Sequence, residues 1–341
     1  MQTRSDSVVT PERIMQFSFA YASTFIIETA LNFKVFDILD NGPKTVDSMA
    51  VETGASVRGL NAIMNALVGL SLLSKDHAGL FSLTPESSTF LISTKPGYFG
   101  GFFRHSSEQL IPKWLKLEEA VKAGKPPQPV NQESAGADFF REFVADLFPV
   151  NYPAATVLAQ TLNVSQVRER YAVLDVASGS GVWGIALAQN SPVVEVTALD
   201  WPEVLEVTQG MVAKFGLMDR FTFLEGDLQD VEFGGGYRLA ILGHIIHTEG
   251  EAAARNLLAK SFDALEPGGE IAIAEFLVNE DRTGPTQSLI FAVNMLVNTD
   301  RGDTYSFGEI SDWLKEAGFE NARLVDAPGP SPLILATKPK E

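Results

Sequence analysis

The chain has 341 residues, 45% of them hydrophobic, enough for two domains with real cores. Its 43 acidic side chains outnumber 26 basic ones for a net charge of −17, which argues against nucleic acid or an anionic membrane as the main partner, because phosphate binding needs clustered Lys and Arg. With no cysteine, disulfides, thiolate metal sites and cysteine nucleophiles are excluded, and the four histidines and scattered acids show no metal-ligand spacing, so no metal is expected.

The first residues carry acids without the layout of a signal peptide, and no apolar run reaches membrane-spanning length; a cytoplasmic location is the expectation. Residues 14–39 read as one long apolar-rich helical stretch ending near Asn41-Gly42-Pro43. Thr45 caps a short helix that stops at Gly54, Ser56 starts another, and KDHAGLFSLT reads as a hairpin. Helix, turn, helix and hairpin describe a winged helix within residues 1–100. Its second helix carries Arg58 alone near its start, so dimerisation or pocket lining is expected of it rather than DNA binding.

Residues 101–165 read as a helical connector, broken at Gly124-Lys125-Pro126-Pro127. A further helix, ADFFREFVADLF, ends before Pro149. Its Phe139, Phe140 and Phe143 sit at helical spacing, as core or as pocket lining.

From Tyr171 strands alternate with helices, so residues 166–341 form an α/β domain with a Rossmann-like parallel sheet. Strands are expected at 171–176, 194–199, 221–225, 238–243 and 270–276, with Pro267-Gly268-Gly269 closing the helix before the last of these. The chain then ends in ARLVDA, a PGPSP turn and LILAT. Two strands joined by so short a turn must be antiparallel. The expected sheet is therefore seven-stranded with an antiparallel C-terminal hairpin.

The stretch YAVLDVASGSGVWG, Tyr171 to Gly184, makes a cradle for a polar ligand head from a strand, a glycine turn and a helix N-terminus. Gly179, Gly181 and Gly184 satisfy G-x-G-x-x-G, a weak dinucleotide signal. Asp175, however, lies inside the strand end, where it would repel a pyrophosphate and attract an ammonium. S-adenosylmethionine (SAM) has an ammonium and no phosphate. The antiparallel hairpin also counts against NAD.

These residues resemble the class I SAM-dependent methyltransferases, in particular the two-domain small-molecule O-methyltransferases of the plant phenolic, hydroxyindole and bacterial polyketide kind. The resemblance runs from about Ile14 to Lys338. In the motif acid-x-Gly-x-Gly-x-Gly, Asp175, Gly179 and Gly181 match, with Ala177 where the first glycine is expected. Asp200 matches the acid that takes the ribose hydroxyls; Trp201 follows it, as a cover for the adenine or as a packing residue. Gly226-Asp227-Leu228 matches the motif whose acid lies near the adenine amino group. In LGHIIHTEGEAA, His247 aligns with the family's general base and Glu275 with the glutamate that orients it. Thr248 and Glu249 replace the Asp and Trp that usually follow the histidine, and Asp303 stands where a second histidine-flanking acid is expected. His244, three residues before the base, is expected to point to the other face.

The resemblance implies SAM as cofactor, S-adenosylhomocysteine as product, and a homodimer formed through the N-terminal domain. It also implies a small, aromatic or apolar acceptor methylated on a hydroxyl. Candidate acceptor-binding residues are Phe143, Tyr152, Phe291, Asn294, Met295 and Asn298. The departures around His247 keep S-, N- or C-methylation open, as well as use of the sulfonium as a fixed charge in hydroxylation or rearrangement. A SAM-sensing regulator and an NAD dehydrogenase are the rivals from other classes.

Overall fold

The structure, a computed structural model, describes residues 9–131 and 133–341; residues 1–8, where the start of the chain was read for a leader, lie outside it. It divides into a unit ending at Glu108 and a second, Gln109–Glu341.

In the first unit the expected long helix is three shorter ones, Glu12–Ser18, Ala20–Asn32 and Val35–Leu39. Lys34 makes the second break by adopting a left-handed φ of 54°. Thr45 and Ser56 cap Val46–Thr53 and Val57–Gly69, accepting the N–H groups of Ser48 at 3.3 Å and Gly59 at 3.1 Å. Caps of this kind contribute about 1 kcal/mol each. The hairpin pairs β1 (Leu73–Lys75) antiparallel with β2 (Phe81–Leu83). Leu60, Met64 and Leu67 recur at helical spacing and pack on Ile27, Phe36, Met49 and Phe81. By contrast, Ile14, Met15, Phe17, Phe19 and Tyr21 stay 60–74% exposed. No single helix among the described residues is long and apolar enough to cross a membrane.

The second unit is built on a seven-stranded sheet of β3 (Tyr171–Val176), β4 (Val194–Asp200), β5 (Phe221–Glu225), β6 (Tyr237–Gly243), β7 (Leu265–Ala274), β8 (Glu320–Val325) and β9 (Leu333–Thr337). Their spatial order is β5-β4-β3-β6-β7-β9-β8. The first five run parallel, and β9 lies antiparallel between β7 and β8. Alternate residues of β3 feed the two faces: Val173 joins one core with Ile185 and Leu205, and Leu174 and Val176 join the other with Leu257 and Ile310. Pro267-Gly268-Gly269, expected to close a helix, lies within β7. The helix expected over 137–148 is instead Glu133–Phe143, a tight turn Val144–Leu147, and a new helix Phe148–Thr161. Pro149 opens that last helix rather than ending one, because its missing N–H is not needed in a first turn.

Strand order reverses between β3 and β6, since the chain goes from β3 outward through β4 and β5 before returning to β3's other side. In such sheets ligands bind beyond the carboxyl ends of the strands at the reversal. The loops in question follow Val176 and Gly243.

Candidate active site

The loop after β3 reaches the helix Val182–Asn190 through left-handed residues Ala177 (φ 54°), Gly179 (54°) and Gly181 (71°). Two acids fix it from opposite sides. Asp175 is fully buried, and its Oδ2 accepts the Gly184 N–H in the helix's first turn at 3.1 Å. Burial pushes its carboxyl up to about 8, against the Gly184 N–H and with Asp200 adding to the rise. Asp175, expected at the cofactor, does not border the cavity; it lies behind the loop as a helix cap. Gly184 keeps room for this: a Cβ there would lie 3.2 Å from Asp175 Oδ2 and 2.8 Å from Val196. Gly181 is also set back, against Thr208.

Asp200, closing β4, accepts the Gly179 N–H at 2.8 Å through Oδ2 and the Trp201 N–H at 2.9 Å through Oδ1. Burial raises it to about 6, against those two N–H groups. Each carboxylate oxygen keeps a second lone pair free for a ligand hydroxyl. Trp201 donates from Nε1 to Asp227 Oδ2 at 3.4 Å, and its ring lies 6.1 Å from that of Phe140. Asp227 also accepts the Gln229 N–H at 2.8 Å.

Ala177, Gly179, Asp200, Trp201, Asp227 and Leu228 line one cavity, together with Ser178, Ser180, Trp183, Asn131, Asn151, His244, Thr248 and Glu249. No Lys or Arg borders it among the described residues, while Asp200, Asp227 and Glu249 do. That lining suits a cation with ribose hydroxyls and opposes a pyrophosphate. It fits SAM: Asp200 and Asp227 would hold the nucleoside, with the 177–180 loop beside the methionine end.

Beyond β6, His247 lies on the short helix Ile246–Glu249, buried to 6% exposure, and Glu275 directly follows β7 at 2%. His247 Nδ1 is 2.7 Å from Glu275 Oε2, and the His247 backbone N–H reaches Oε1 at 3.2 Å. Burial pushes the Glu275 carboxyl up, but the His247 charge and both hydrogen bonds more than offset this and hold it below the ordinary range. In the neutral ring, a proton on Nδ1 facing Glu275 leaves Nε2 with a free lone pair. Phe291 meets the ring edge-on at 4.9 Å and stacks on Phe276 at 4.1 Å.

His247 itself is set back from the cavity wall, which His244, Ile245, Thr248 and Glu249 form at this end. His244 corrects its expected orientation. It adopts φ 63°, lies 6.2 Å ring to ring from His247, and borders the cavity. Asp303 does not reach the base: its carboxylate is 3.7 Å from Arg282, and only its backbone N–H touches His247, at the carbonyl oxygen. Glu249 is a half-buried acid with no expected role. It accepts from Gln229 at 2.9 Å and Thr248 at 3.2 Å, and burial raises its carboxyl.

Of the expected acceptor residues, Phe291 packs on His247. Asn294 Oδ1 accepts from Trp114 Nε1 at 2.9 Å, and Asn298 donates to Asn294, so the pair joins two helices. Met295 is buried. Phe143 packs on Phe139 and Phe140, and Tyr152 stacks on Phe148 while donating to Gln189 at 2.7 Å. Neither borders the cavity; Val144, Leu147 and Asn151, their near neighbours, do. Trp183 was also missed, although its place one residue into the helix after the glycine turn was a signal. Among the described residues, His244, His247 and Glu275 form a group whose ligating atoms all lie within 4.8 Å, close enough for a metal ion.

An O-methyltransferase domain family matches residues 114–320, and an O-methyltransferase dimerisation domain matches 15–93. The chain is 30% identical to the 3-hydroxy-5-methyl-1-naphthoate 3-O-methyltransferase of Streptomyces sahachiroi, over 92% of this chain and 90% of that one. The solved structure of a candidate O-methyltransferase from Nostoc punctiforme superposes with a TM-score of 0.89 at 28% identity, covering 97% of this chain and all 100% of that one. The PigF methyltransferase of Serratia, solved with SAH, superposes at 0.80 and 25% identity, covering 97% and 100%.

Proposed function

This chain belongs to the SAM-dependent O-methyltransferase family, and on that premise we propose that it methylates a hydroxyl of a small aromatic acceptor with His247 as general base. The observation that carries the base assignment is the 2.7 Å contact between His247 Nδ1 and Glu275 Oε2, both residues being buried. SAM, when bound, supplies an electrophilic methyl group on a sulfonium. Asp200 and Asp227 hold the nucleoside end. Glu275 fixes the His247 tautomer and stabilises the imidazolium, so Nε2 is free to take the acceptor's hydroxyl proton as its oxygen becomes the nucleophile. Trp183, Phe276 and Phe291 surround the histidines with apolar surface that excludes water. Positioned bases of this kind contribute about 10²- to 10⁴-fold in rate.

The dimerisation domain supports a homodimer. In our reading the exposed ridge Ile14–Tyr21 is the surface a second copy covers. The test of the activity is direct: incubate the enzyme with methyl-labelled SAM and a panel of phenols and naphthols. Label on oxygen, with one SAH formed per methyl transferred, supports the reading; product without SAH, or label on carbon, would overturn it.

A further inference from the structure

We propose that His244 is a second acceptor-binding side chain, which together with His247 selects aromatic acceptors carrying two neighbouring oxygens, an ortho or peri pair. The inference rests on reading His247 as the base. The fold places the residue after β6 in a left-handed conformation, φ 63°, which is disfavoured for any side chain and suits glycine. A histidine stands there nonetheless, and strain of this sort collects at functional sites. Its ring borders the cofactor cavity between Trp183, 6.4 Å away, and Phe276, 5.4 Å away. Its Nδ1 is buried and lacks a hydrogen-bond partner, a penalty that a ligand relieves.

The spacing identifies the kind of ligand. The His244 and His247 rings lie 6.2 Å apart, centroid to centroid. Oxygens on adjacent or peri ring carbons lie about 2.7 Å apart, a hydrogen-bonding distance, so each can meet one histidine. His247 then takes the proton of the reacting hydroxyl while His244 holds the neighbouring hydroxyl or carbonyl oxygen. A lone hydroxyl would leave His244 unpaired, and sites built to bond a polar group discriminate against ligands that lack it. Burial pushes the His244 imidazole down to about 4, so it stays neutral beside a cationic cofactor and offers both a donor and an acceptor.

The test compares matched acceptors: catechol with phenol, and 1,8-dihydroxynaphthalene with 1-naphthol. Turnover is measured with SAM, and binding to the SAH-loaded enzyme by calorimetry, both with and without EDTA. The wild type should favour the paired oxygens about tenfold, the worth of one hydrogen bond. His244→Ala should lose that preference, bringing the ratio of paired-oxygen to single-hydroxyl turnover to about one. His244→Asn, which tolerates the left-handed backbone and keeps a donor and an acceptor, should restore most of it. Equal preference in the wild type, a preference that survives in His244→Ala, or binding of none of the probes would overturn the proposal. So would a preference abolished by EDTA, which would assign the His244–His247–Glu275 group to a metal. His247→Ala separates the two readings: full turnover in that variant refutes the base, whereas a failed preference with an inactive His247→Ala refutes His244 alone.

Discussion

Glu275 grips His247 at two points, with Oε2 on the ring Nδ1 at 2.7 Å and Oε1 on the backbone N–H at 3.2 Å. The second contact holds the short helix at the end of β6 against the end of β7, so ring and backbone are oriented by one carboxylate. Glu275→Gln should therefore lower kcat by about 10²-fold or more, by releasing the tautomer and the imidazolium's counter-charge. Calorimetry should find SAM affinity unchanged within about threefold, because Glu275 lies outside the nucleoside end of the cavity.

In the proposed mechanism Asp200 does the opposite work, holding cofactor and loop rather than base. Asp200→Asn removes the charge that meets the Gly179 N–H and would meet the ribose, and hydrogen bonds to charged groups contribute about 1.5–3 kcal/mol. SAM affinity should fall about 10- to 100-fold, while kcat at saturating SAM falls far less. Equal losses in both would show that Asp200 acts on the chemistry.

Asp175 makes stability depend on pH in an unusual direction. Its folded carboxyl titrates near 8, whereas an unfolded aspartate titrates near 4. Between these values the folded state binds the extra proton, so stability falls as pH rises, by at most about 1.4 kcal/mol per pH unit. Thermal melts from pH 6.5 to 8, above the Asp200 range, should show this fall in the wild type. Asp175→Asn keeps an acceptor for the Gly184 N–H and should flatten the slope.

Ala177 occupies a left-handed φ of 54° with a β-carbon attached. Ala177→Gly relieves that strain, less the entropy glycine regains on unfolding, for a net gain of about 0.5–1 kcal/mol. Differential scanning calorimetry should register a rise of about 2 °C. A fall would mean that the methyl group packs usefully against the cofactor cavity.

Phe17 and Phe19, 65% and 68% exposed in the single chain, should be interface residues. Phe17→Asp combined with Phe19→Asp should shift the protein from dimer to monomer in sedimentation, while the second unit's own thermal transition persists.

The sheet was legible because buried parallel strands read as apolar runs: YAVLDV is β3 residue for residue, and LILAT is β9. The hairpin direction followed from a turn too short for a crossover. Lys34 carries no glycine or proline signal for its left-handed turn, so the break in the first helical stretch was hidden. Asp175 and His244 were misjudged for one shared reason. Each sits near a strand end, where a motif match does not say which side of the loop a side chain serves. Asp175 keeps the alternation of β3 and faces the helix 182–190 with Val173, whereas the positive φ of His244 swings it to the cavity. The cavity walls from Asn131, Val144 and Asn151 were invisible because they arrive from a distant segment with no motif of their own.

In the proposed mechanism His247 takes the acceptor's proton. The direct measurement is turnover of His247→Ala with a phenolic acceptor at saturating SAM, alongside SAM binding by calorimetry. The expected result is a loss of about 10²- to 10⁴-fold in kcat with cofactor affinity preserved; turnover equal to the wild type would contradict it.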